Sequence, residues 1–128
     1  MLNRSAVAIV TALALAALSA TASAQRAFPQ NALRGAMVIG SPPEITLNGE
    51  PARLAPGARI RNAANMIEMS GSLVGARLLV HYTLDGPDLV RDVWILTPEE
   101  AAKRPWPTTP KQAQEWLFDP ATQTWSRP

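Results

Sequence analysis

The chain has one histidine, His81, and no cysteine, and these two counts bound most of its possible chemistry. Thiol catalysis, Cys-ligated zinc, a disulfide framework and a lipid anchor on an N-terminal Cys are all excluded. A Ser–His–Asp relay would have to join His81 to Ser70 or Ser72 and to Asp85, Asp88 or Asp92. No Gly-x-Ser-x-Gly elbow accompanies either serine, and nothing marks an oxyanion hole. Asp85, Asp88 and Asp92 surround a turn, and Pro87 interrupts the close alternation of oxygen ligands that a calcium loop needs. They read as turn-capping residues. Glu44, Glu50, Glu68 and Glu99 could supply carboxylates for glycoside hydrolysis, but no spacing brings two of them together. The sequence reads as that of a non-enzymatic protein, and it implies no cofactor.

Met66, Met69 and His81, with Trp94, form a second set, of thioether, imidazole and indole groups. Thioethers favour Cu(I). The set is similar in kind to that of the periplasmic copper/silver chaperones, small β-barrels with a Met, Met, His and Trp site, and the resemblance implies a soft-metal site at Met66, Met69 and His81. The spacing departs from it. Methionines on one strand face stand at i and i+2, whereas Met66 and Met69 stand at i and i+3 and point to opposite faces unless a bulge intervenes. The other reading of both residues is core filling.

The elements that must position these residues begin after an export segment. Arg4 is a positive n-region, Val7–Leu18 an apolar run and Ala22-Ser23-Ala24 a small-x-small cleavage site. The run is too short to span a membrane, so residues 1–24 read as a cleavable signal peptide and the protein as periplasmic or secreted, with no transmembrane anchor after cleavage. Arg4 leaves with the signal. The mature chain is then close to neutral, with no basic patch in its sequence to suggest nucleic acid.

Residues 25–34 show no period and are expected to be a loose lead-in. Residues 35–97 read as a small β domain. Ala36–Ile39 and Glu44–Leu47 are short strand-like runs, and Asn48-Gly49 is a hairpin signal, because a type I′ turn needs positive φ at both central residues. Pro56-Gly57 reads as a turn before Ala58–Arg61, and Met66–Met69 as a further strand. The clearest strand is Arg77–Leu84, with Leu78, Val80, Tyr82 and Leu84 on one face and Arg77, Leu79, His81 and Thr83 on the other. Asp85–Asp88 turns the chain into Leu89–Leu96, which reads as the central partner strand. Five or six such strands with Gly/Pro turns predict a mainly β fold, a small OB- or SH3-like barrel, with an open roll as the other choice.

Residues 98–128 form a Pro/Trp-rich tail carrying one or two short helices. Thr97 and Thr109 each stand as an N-cap before a proline at the first helical position. The tail holds three of the four tryptophans, Trp106, Trp116 and Trp125. Such rings either pack back over the β domain or anchor a partner. The sequence thus favours an exported domain that binds another component of the cell envelope, a protein, with these three rings as contact residues.

Leu47-Asn48-Gly49, Arg53–Arg61, Leu73-Val74-Gly75, Val80–Thr83, Val93–Leu96 and Glu115–Pro120 ahead of Trp125 together resemble small secreted proteobacterial proteins of unassigned function. That resemblance implies export and a small β-domain and carries no functional motif.

Overall fold

The computed structural model describes residues 25–128, and the expected signal peptide, residues 1–24, lies outside them. Strand β1 (Leu33–Ile39) pairs antiparallel with β2 (Glu44–Leu47), which turns at Asn48-Gly49 into β3 (Glu50–Arg61). Both turn residues have positive φ, 52° and 83°, as a type I′ hairpin demands. A two-residue strand, β4 (Ile67–Glu68), folds back on the end of β3, and a single 3₁₀ turn (Ser70–Leu73) leads to β5 (Arg77–Leu84). Strand β5 lies between β1 and β6 (Leu89–Ile95), antiparallel to both. Strand β6 runs parallel to β3, so β1-β2-β3-β6-β5 closes on itself. A closed ring with its third and last strands parallel is an OB-type barrel, and closure leaves only the short β4 as an edge.

The barrel interior is filled by alternate residues of these strands, among them Met37, Ile39, Ile45, Leu54, Ile60, Val80, Tyr82, Val90 and Val93. On β5 the period-two pattern holds, with Val80 and Tyr82 pointing inward. The opposite face is nevertheless also buried at His81 and Thr83. The cause is a second core outside the barrel wall. Phe28, Ala32, Trp106 and Trp125 fill it, with Trp94, Trp116 and Phe118 against them.

The tail that builds this second core follows its capping signals. Helix α1 (Pro98–Ala101) has a complete capping box: the Thr97 hydroxyl accepts from the Glu100 amide at 3.2 Å, and the Thr97 amide donates to Glu100 Oε1 at 2.9 Å. Helix α2 (Pro110–Glu115) is capped by Thr109, and β7 (Leu117–Asp119) pairs with β8 (Thr124–Ser126) as a small hairpin. No helix among the described residues is long and apolar enough to cross a membrane.

Three local expectations change. Residues 25–34 are no loose lead-in: Phe28 and Ala32 are buried and Leu33 already belongs to β1. Pro56-Gly57 does not end a strand but sits inside β3, where Gly57 takes φ 78°. The strand expected over Met66–Met69 shrinks to Ile67–Glu68.

Candidate functional site

His81 stands at the centre of the second core. Its ring is stacked on Trp106, with centroids 4.0 Å apart and planes at 22°, and Phe28 meets it edge-on at 4.5 Å. Arg34 Nε donates to His81 Nε2 at 3.2 Å, which leaves the ring proton on Nδ1, an atom with no hydrogen-bond partner among the described residues. The rest of the Arg34 guanidinium donates to the carbonyls of Glu100, Ala101 and Lys103 at 2.8–3.2 Å, closing the C-terminal end of α1. Burial above all, then the charges of Arg34 and Arg26, push the His81 pKa down to about 2. A neutral, buried imidazole that accepts from an arginine is a packing element, out of reach of a substrate.

This disposes of the thioether–imidazole set as one site. Ile67, Arg61, Trp94 and His81 lie in register across β4, β3, β6 and β5. Three strand spacings, about 14 Å, therefore separate the Met66–Ile67 backbone from His81. Met66 and Met69 are 64% and 76% exposed, whereas His81 is fully buried. The methionines instead flank an apolar groove that takes in Pro42, Pro43, Leu54, Ile67 and Leu89.

The tryptophans expected to contact a partner are also redistributed. Trp106 and Trp125 are buried, and Trp106 Nε1 donates to the Ala32 carbonyl at 3.0 Å, so neither ring can serve as a contact. Only Trp116 remains half-buried, with the Arg127 guanidinium over its ring at 5.1 Å. The physical reason is the bare outer face of β5 and β6, whose His81 and Trp94 require cover.

The barrel wall opens elsewhere. Along β5 and β6 the pairs Tyr82–Val93 and Leu84–Val90 leave Thr83 opposite both Arg91 and Asp92, a bulge. The Thr83 hydroxyl fixes it, accepting from the Asp92 amide at 3.2 Å and donating to Asp92 Oδ2 at 3.3 Å. Along β3 and β6, the pairs Leu54–Val90 and Arg59–Asp92 leave Ala55–Ala58 opposite Arg91 alone. Two irregularities therefore meet at the same stretch of wall, where bulges re-aim side chains at barrel rims.

An open, polar cleft of about 980 Å³ lies over this stretch, with Arg59 and Arg61 from β3, Arg91, Asp92 and Trp94 from β6, Asp85 from the β5–β6 turn, and Arg26 with Asn31 on the rim. Its charges are of two kinds. Arg26 is tied down, donating through Nε to Glu100 Oε2 at 2.8 Å and through its terminal nitrogens to the carbonyls of Asn62 and Ile95. Arg61 faces Asp92 at 3.6 Å and also lies over the Trp94 ring. Arg59, Arg91 and Asp85 are exposed and form no ion pair among the described residues. Guanidinium groups held this way bind carboxylates or phosphates in two-pronged fashion.

None of these arginines stands out in the linear sequence, where basic and acidic residues nearly balance. What assembles them is the parallel β3–β6 pairing, which places residues 59–61 beside 91–94. The alternation of Arg59 with Arg61 at i and i+2 was the one local signal available. Compared with known proteins, the chain matches no family model, no curated protein and no solved structure.

Proposed function

We propose that this chain is a non-enzymatic, exported β-domain that binds another component of the cell envelope, a protein, through the cleft over the β3–β6 seam. The observation that carries the reading is the meeting of two strand irregularities at one place, which turns Arg59 and Arg91 outward into a concavity without ion-pair partners. Export rests on the signal-like residues 1–24. The lone histidine is held in a packing role, so the cleft offers recognition groups with no general base of intermediate pKa beside them.

The test is co-purification of the tagged mature chain, residues 25–128, from an envelope extract, beside an Arg59→Glu/Arg91→Glu variant of equal melting temperature. A protein retained by the natural sequence and lost with the charge reversal is the expected result. The same proteins held by both chains, or none by either, would overturn the reading. Removing residues 105–128 is unsuitable as a test, because it deletes Trp106 and Trp125 from the second core.

A further inference from the structure

Resting on that reading, we infer that what the cleft recognises is an extended acidic peptide segment of the partner. Three features of the cleft select this class. First, Arg59 and Arg91 are unpaired and stand close across the β3–β6 seam, where Arg59 is in register with Asp92. Two guanidinium forks at this distance suit carboxylates on one extended strand. Second, the lining is not uniformly basic. Asp85 is exposed and unpaired beside the arginines, and Asn31 and Asn65 add amide groups. A peptide brings N–H donors for Asp85 to accept, together with carbonyls for the amides. A phosphodiester chain brings no donor from its backbone and meets Asp85 as a like charge. Third, the aromatic surface is already in use. Arg61 lies over the Trp94 ring at 5.7 Å, and Phe28 meets its other neighbourhood edge-on at 5.6 Å. No open ring face is left on which a sugar or a base would stack, the main source of sequence-tolerant affinity in nucleic-acid-binding OB folds.

The cleft thus takes carboxylates on Arg59 and Arg91 and peptide N–H groups on Asp85, with Arg26 and Arg61 as fixed walls. Their internal partners, Glu100 and Asp92, keep both of those arginines out of the exchange.

The experiment is fluorescence anisotropy with fluorescein-labelled hexaglutamate on the mature chain, residues 25–128, at low and at physiological salt. A carboxylated oligogalacturonate and an oligo(dT) of matched charge are the competitors. Saturable binding of the peptide is expected, weakened roughly tenfold by Arg59→Ala/Arg91→Ala, the size of one charge-assisted contact. Asp85→Asn is expected to improve competition by oligo(dT) relative to the peptide. Absence of peptide binding, peptide binding indifferent to the two arginines, or stronger binding of either competitor would overturn the inference. Thermal melts of each variant separate loss of binding from loss of fold. If the envelope partner is lost on Arg59→Glu/Arg91→Glu while hexaglutamate fails to bind, the proposed function stands and this inference alone falls.

Discussion

The His81 imidazole lies on the Trp106 indole at 4.0 Å, and Arg34 holds it there from the edge. One contact therefore joins the barrel wall, the tail and, through the Arg34 bonds to the end of α1, the helix between them. The stack is possible only with a neutral ring, since protonated His81 would lose its hydrogen bond from Arg34 and face that guanidinium as a like charge.

A pH dependence follows. Unfolded His81 titrates near its ordinary value of about 6.5, whereas in the fold burial, with Arg34 and Arg26 behind it, lowers the pKa to about 2. Below pH 6.5 the unfolded chain takes up a proton that the folded chain refuses. Stability that is fully present above that pH is lost as pH falls toward 2, by up to about 1.4 kcal/mol per pH unit from this group. Glu100 adds to the loss at lower pH. Burial alone would raise its pKa, but the hydrogen bonds from Arg26 and Thr97 hold it below the usual carboxylate value. Urea unfolding at pH 7, 6 and 5 checks the first window, and His81→Gln should flatten that part of the profile.

Trp106→Ala should cost about 3–5 kcal/mol, because it removes a buried ring and leaves the Ala32 carbonyl without its donor. Trp116→Ala, at a half-buried ring, should cost well under half of that. Denaturant midpoints of the two variants measure the difference. Equal costs would mean that the second core reaches further than the buried residues indicate.

Arg26→Ala should be strongly destabilising, on the order of 3 kcal/mol, since it strands Glu100 in a site where both side chains are nearly buried. Arg26→Ala/Glu100→Ala should recover part of the loss. A double-mutant cycle by chemical denaturation would return a coupling energy near zero if the pair were merely a surface contact.

Gly35→Ala tests the close approach of β1 to the hairpin. A Cβ there would lie 3.0 Å from Asn48 Nδ2 and 3.1 Å from Tyr82 Cε1. Asn48 is not free to give way, because its Oδ1 accepts from the Ala36 amide at 2.9 Å while its backbone is held at φ 52°. A loss of about 1–3 kcal/mol is expected in thermal or urea unfolding.

What the sequence makes legible is local. Arg77–Leu84 and Leu89–Ile95 are evident because alternation and a four-residue turn leave little choice, and Asn48-Gly49, Thr97 and Thr109 announce their turn and caps. Pro56-Gly57 misleads, because the same residues that make a turn also make a bulge, and only the β6 register tells the two apart. The tail tryptophans show their hydrophobicity but not their neighbours, since the cover that β5 and β6 need appears only after the barrel closes. The cleft is the least legible feature. Its arginines become neighbours through a parallel pairing with no local sequence mark.

The second core also bears on the order of events during synthesis. Its closing bond runs from the Phe28 amide to Gln123 Oε1, 95 positions apart, and its rings come from both flanks of the barrel. Until Gln123 and Trp125 have been made, Phe28 and Trp106 have no lid, and the growing chain lacks the contacts that would lock it. Contacts of such long sequence separation form slowly. A polypeptide built this way stays threadable until its final residues exist, which is the condition for passing through a narrow translocation channel before it folds.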